Sequence, residues 1–261
     1  MYKGILSIIY DWQQFLGAII GASAPILFWF FIQWYERHTR RKEYLIYLEK
    51  FLVDRINNVI DVKKTIENFL DERLVELISN IKSVPSDIYS TAIAFLPFFN
   101  TEPIGEILFN HDTKSSYLDN QLLKVVRMSK DFSEIVDDIR RQFQETISTD
   151  REMAMRKLNA PLFQNEEYVT HLNNFIESTK RDLNKNIPIY FRVLVSARIT
   201  ADTIRKMGII KWRFKFSADF IPFKNKESFK KYVKETPDRI DKFLEPQIET
   251  QLKKIQEIYS E

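Results

Sequence analysis

Residues 36–82 read ERHTRRKEYLIYLEKFLVDRINNVIDVKKTIENFLDERLVELISNIK, 47 residues without a glycine or a proline. Apolar side chains recur at Leu45, Leu48, Leu52, Ile56, Val59, Ile66, Leu70, Leu74, Leu77 and Ile81. Steps of three and four trace one face of a helix. Lys63 interrupts the stripe, and the stripe is wider than a coiled-coil seam. The segment therefore reads as an amphipathic helix packing on its own domain, in preference to a coiled coil between copies. Nothing at Glu36 breaks the chain, so the preceding segment is expected to run straight into this one.

That preceding segment is apolar. Trp12 to Tyr35 carries no formal charge over 24 residues, enough to cross a hydrocarbon core of about 30 Å as a helix. Trp12 stands at one end and Trp34 and Tyr35 at the other, where amphipathic rings favour a membrane interface. Lys3 alone precedes the run with a positive charge, whereas Arg37, Arg40, Arg41 and Lys42 follow it at once. A secretory signal peptide has the opposite order. The expectation is a retained transmembrane helix over 14–35, a short external tail over 1–13, and everything from residue 36 in the cytosol of a bacterial inner-membrane protein. Gly17 and Gly21 form a GxxxG step, extended by Ala18, Ala22 and Pro25. Such small residues let helices approach in lipid, so the span is expected to pack against copies of itself. Pro25 frees the carbonyl near Gly21 and could kink the span.

The remainder is also helical in composition. The chain has five glycines in 261 residues, where an average composition would give about 18. Gly4, Gly17 and Gly21 lie in the first 21 residues, leaving Gly105 and Gly208 for everything after them. A glycine-looped nucleotide cradle is therefore excluded, and any anion must be held by side chains. The absence of cysteine removes disulfides, thiolate nucleophiles and Cys-ligated metal. A turn is expected at Ser83–Asp87 and a buried helix at Ile88–Phe99, with loops at Asn100–Pro103 and Phe109–Ser116. Tyr117–Ile147 reads as a helix, with Ser148-Thr149-Asp150 as cap chemistry for the next. Glu166–Asn184 reads as another. Residues 83–261 form one helical cytosolic domain, mainly α, with at most a small β element near 209–216.

Charge is segregated. Residues 185–234 hold 13 Lys and Arg against three acids, whereas the whole chain is only +3. A basic block of this kind suits an anionic partner. Within it, Ile210-Lys211-Trp212-Arg213-Phe214-Lys215-Phe216 alternates with period two. As a strand it places Lys211, Arg213 and Lys215 on one face and the rings of Trp212, Phe214 and Phe216 on the other. An ordinary half-buried strand has the same pattern. Pro188–Met207 reads as a helix between Asn186 and Gly208, although Ile189–Val195 would also suit a strand. As a helix it places Lys185 with Arg192, and Arg198 with Arg205, each pair seven apart. Lys224, Lys226, Lys230, Lys231 and Lys234 follow. Phosphates of a nucleotide or single-stranded nucleic acid fit this block, as do lipid headgroups. Trp212, Phe214 and Tyr190 are the candidate stacking rings for a single strand.

Catalytic patterns are missing: no Walker A, GxGxxG, GxSxG, HExxH or EF-hand loop occurs. His38, His111 and His171 are widely separated. Glu167 and His171, four apart, are a chance-level metal pair, and no metal or cofactor is expected. Asp137-Asp138 and Asp150-Arg151-Glu152 read as solvated helix and cap residues. In layout, with one N-terminal span, Arg37–Lys42 and a basic block on a helical domain, the chain resembles single-pass membrane effectors of bacterial anti-phage defence. Hailong-type DNA-gated channels are an example. The resemblance implies a tetramer-like homo-oligomer, an oligonucleotide ligand and a membrane part that conducts ions or disrupts the bilayer. A membrane-anchored scaffold, docking an acidic partner or the inner leaflet through its basic face, is the competing expectation.

Overall fold

The computed structural model describes residues 2–73, 115–156, 166–218, 222 and 225–260, with side chains at most positions from Trp12 onward. Every element among them is helical: α1 (Tyr2–Asn68) with a π turn at Phe69–Arg73, α2 (Ser116–Arg156), α3 (Glu166–Met207), α4 (Ile209–Phe216) and α5 (Lys226–Ser260). The expected turn, helix and loops between residues 83 and 114 lie outside the described residues, as do Leu74, Leu77, Ile81, Gly105, His111 and Lys224. Contacts divide the chain into Met1–Ile46 and Tyr47–Glu261.

In the first unit α1 runs unbroken through Pro25. One missing N–H removes a single ladder bond, which a 67-residue helix absorbs. Residues 2–13, expected as a tail, belong to the same helix. The apolar side chains described between Trp12 and Tyr35 are exposed. Trp12, Phe15, Ile26, Leu27, Phe28, Trp29, Phe30, Phe31, Trp34 and Tyr35 are all more than half exposed. Their contacts are to near neighbours, such as Trp34 stacked on His38 with ring centres 5.6 Å apart. Among the described residues no helix is long and apolar enough to cross a membrane. The side chains of Ala18, Ile19, Ile20 and Ala22, in the middle of the run, are outside them. A side chain added at Gly17 or Gly21 would meet nothing within 4 Å.

The second unit is a bundle around α3. The amphipathic stripe of α1 is buried at Leu48, Leu52, Ile56, Val59, Ile66 and Leu70, and where the stripe lapses Lys63 pairs with Glu67 at 2.8 Å. Ring contact between Phe69 and Phe143 (5.0 Å) joins α1 to α2. Directions follow from paired positions. Glu49 and Asp71 of α1 meet Arg205 and Lys180 of α3, so the two helices are antiparallel. Ser129 and Phe143 of α2 meet Tyr190 and Phe175, and Glu245 and Glu249 of α5 both meet Arg192. Hence α1 and α2 run opposed to a central α3, against which α5 also packs. Leu194, Val195, Ser196 and Ala197 are all buried, so four successive residues cover every side of that helix, as a bundle's central element requires.

Three sequence expectations are corrected here. The helix opening at Ser116 continues through Ser148-Thr149-Asp150 to Arg156; mid-helix hydroxyl and carboxyl side chains are tolerated where no stronger breaker stands. Pro188 does not start a helix but lies inside α3, which settles Ile189–Val195 as helical. The β element near 209–216 is absent: Ile209–Phe216 is α4.

Candidate basic groove and outer face of the short helix

The fate of the basic block turns on α4. Gly208 has φ 78° and ψ 143°, a region reserved almost wholly for glycine, and there the chain leaves one helix for the next. Its N–H donates to the Ile204 carbonyl at 2.9 Å, and its own carbonyl accepts from Trp212 N–H at 3.1 Å. The Ser217 N–H closes the end on the Arg213 carbonyl at 2.7 Å. Ile209, Trp212 and Phe216 are buried, spaced at three and four. Trp212 and Phe216 stack 4.7 Å apart, and Phe243 of α5 extends the cluster. Burial of these rings is the reason the segment coils rather than extends.

Coiling separates the three cations that a strand would align. At about 100° per residue, Lys211 lies on the outer face, whereas Arg213 and Lys215 flank the buried one on opposite sides. Both lysines are exposed and Arg213 is half-buried. The Lys215 ammonium sits 3.4 Å from the centre of the Phe243 ring. Trp212, at 3% exposure, is not available to stack on a ligand, and neither is Tyr190, which is completely buried with its hydroxyl on Ser129. Phe214 and Ile210 are the exposed apolar side chains of α4.

Arg213 opens onto a groove of about 850 Å³ between the start of α2, α4 and the first half of α5. Leu123, Phe229 and Val233 give it an apolar wall, and Lys124 and Arg127 stand one turn apart on its α2 side. Both are exposed. At the other end Tyr117 donates its hydroxyl to Asp241. Seven residues of helix separate Tyr117 from Lys124, about 10 Å of rise, so the groove is acidic at one end and basic at the other. Burial, then the Asp241 carboxylate, holds the Tyr117 phenol far above its usual range, against weaker hydrogen bonds from Gln121 and Ser196. The α5 wall starts at Asn225, whose side-chain carbonyl accepts from Ser228 N–H at 2.8 Å as an N-cap. Lys226, Lys230, Lys231 and Lys234 cover the exposed side of its first turns. Lys124 and Arg127 were not singled out in the sequence, because they lie outside the basic block and only the bundle brings them to Arg213.

Two of the other basic candidates, Arg192 and Arg205, form ion pairs within the bundle. Arg192 forks to Glu245 and to Glu249, the latter at 2.8 Å; the Glu249 and then the Glu245 hydrogen bond raise its pKa further. Arg205 reaches Glu49 at 3.1 Å and Asp202 at 2.7 Å. Arg198 is half-buried on α3 and Lys185 exposed, and neither borders the groove. Asp137 and Asp138 pair locally with Arg140 and Arg141, as solvated helix residues do. The side chains of Glu167, His171 and Asp150-Arg151-Glu152 lie outside the described residues, and among those described no metal-binding cluster occurs. Comparison of the chain with known protein families, with curated proteins and with solved structures finds no match.

Proposed function

We propose that this chain is a homo-oligomeric effector of the bacterial inner membrane, anchored by a single N-terminal span, whose cytosolic bundle binds a phosphate-rich ligand and gates the membrane part. The ligand is a nucleotide or a single-stranded oligonucleotide, and the setting is the antiviral defence suggested by the layout. The observation that carries the reading is the exposure of Trp12, Phe15, Ile26, Leu27, Phe28, Trp29, Phe30, Phe31, Trp34 and Tyr35 along α1. An apolar patch of that extent needs a membrane or a partner, and the cations at Arg37, Arg40, Arg41 and Lys42 orient it with the N-terminus outside. The ligand half of the reading rests on the groove, where Lys124, Arg127 and Arg213 are supplied by two helices. Of the residues first expected to touch phosphate, Arg213 keeps that role, with Phe229 as an accessible ring in place of Trp212 and Tyr190. Gly17, Gly21 and their small neighbours pack the spans of the oligomer.

Binding of a labelled single-stranded oligonucleotide to the full chain in detergent, repeated across a salt series, tests the ligand. Each phosphate contact contributes about −0.7 to the slope of log K against log salt. Alanine at Lys124, Arg127 and Arg213 should therefore weaken binding and flatten that slope, and an unchanged slope removes the groove as the site. Oligomeric state in the same detergent and ligand-dependent current in a planar bilayer test the gate. The second reading, a membrane-anchored scaffold, draws on the lysine-covered first turns of α5; absence of current under every phosphate ligand favours it.

A further inference from the structure

Two solvent-facing features of α4 do not belong to the groove. Ile210 and Phe214, 51% and 58% exposed, stand four residues apart on its outer side, and Lys211 and Lys215 adjoin them. The helix has three cations and no acid. On its N-terminal side the nearest carboxylate along the chain, Asp202, is engaged by Arg205 and Lys206; on its C-terminal side Asp219 lies outside the described residues. Position within the bundle adds a second observation. The ion pair between Arg205 and Glu49 fixes the C-terminal end of α3, and with it Gly208 and α4, at the end of the bundle where α1 enters it. Glu49 is two residues inside that unit, which begins at Tyr47. Tyr47 follows Tyr35, the end of the apolar run, by twelve positions along the chain.

We infer that the outer face of α4 is a lipid-docking foot, with Ile210 and Phe214 entering the headgroup region of an anionic leaflet and Lys211 meeting its phosphates. The inference rests on the membrane anchor proposed above in one respect, that the leaflet lies within reach. Large apolar side chains flanked by lysine are the composition of helices that lie in the interfacial plane. A polybasic segment beside a span is drawn to the negative surface of the cytoplasmic leaflet. A protein partner would have to bring an acid for Lys211, whereas an anionic bilayer supplies phosphate and hydrocarbon together. Arg213, on the other side of the same helix, remains directed at the groove.

The absence of cysteine makes the test clean. Phe214→Cys in the full chain takes one environment-sensitive fluorophore at an exposed position, and Phe28→Cys takes one in the apolar run. Each labelled protein is placed in nanodiscs of phosphatidylglycerol with phosphatidylcholine, or of phosphatidylcholine alone, with and without bromine on the acyl chains. The expected result at 214 is a blue shift with loss of emission to brominated lipid in the anionic discs, diminished in the neutral discs and by Lys211→Glu. Quenching at 28 without quenching at 214 overturns the foot and leaves the anchor standing. No quenching at either position overturns both. A blue shift at 214 that brominated lipid does not quench means burial against protein, from a second copy or an acidic partner, and also overturns the foot.

Discussion

Tyr190 carries the largest wholly buried side chain of the bundle, and its one polar atom meets Ser129. Tyr190→Phe leaves the Ser129 hydroxyl without that partner, at a cost of about 1–3 kcal/mol. Tyr190→Ala adds a cavity and should cost about 3–5 kcal/mol. Thermal unfolding followed by circular dichroism ranks the two. Tyr117 gives a pH signature. Burial and Asp241 keep its phenol protonated in the folded bundle, so its contribution to stability is whole below the unfolded value of about 10. It declines as pH rises above that, toward the folded value. Tyr117→Phe should therefore flatten the alkaline limb of a melting-temperature profile relative to the parent protein. The arginines show where sequence reading stops at this scale. Arg192 and Arg205 are legible as charge, but apart from Asp202 their acids lie 53, 57 and 156 residues away. No local pattern marks a guanidinium for so distant a partner.

At the scale of elements, the helices of the bundle are readable because their stripes are long: Leu48 to Leu70 spans six turns, and tertiary burial agrees with it. The seven residues Ile210–Phe216 are too few. Trp212 and Phe216 satisfy period two and period four alike, and only the burial of Ile209 and the exposure of Ile210 and Phe214 separate the two patterns. Gly208 is the local signal that favours a helix-to-helix junction. Gly208→Ala should cost about 1–3 kcal/mol through its positive φ. No nearby atom would obstruct the added methyl, so the loss measured by denaturation reports backbone strain. Gly21→Leu is the opposite case. A Cβ added there meets nothing within 4 Å, and position 21 lies outside the bundle unit, so the melting of the bundle should not change. If small residues pack span against span, oligomer size in detergent should fall, and an unaltered oligomer removes that packing.

For the molecule as a whole, the segregation of charge and of apolar surface is written in the sequence, whereas the groove is not, since α2, α4 and α5 supply it from positions over a hundred residues apart. Membrane extraction with carbonate tests the anchor directly: the full chain should stay with the pellet, and release into the supernatant overturns the span. The central place of α3 also has a consequence for biosynthesis. Glu49 is made 156 residues before Arg205, an interval of about 8–30 s at ordinary elongation rates. During it the stripe from Leu48 to Leu70 exists without the helix that covers it. The bundle cannot close as its pieces appear on the ribosome; it waits for residues 166–207. A nascent chain stalled after Arg156 should pellet or recruit chaperones where the complete chain does not, which makes the order of translation, rather than the sum of its contacts, the point at which this protein is most vulnerable.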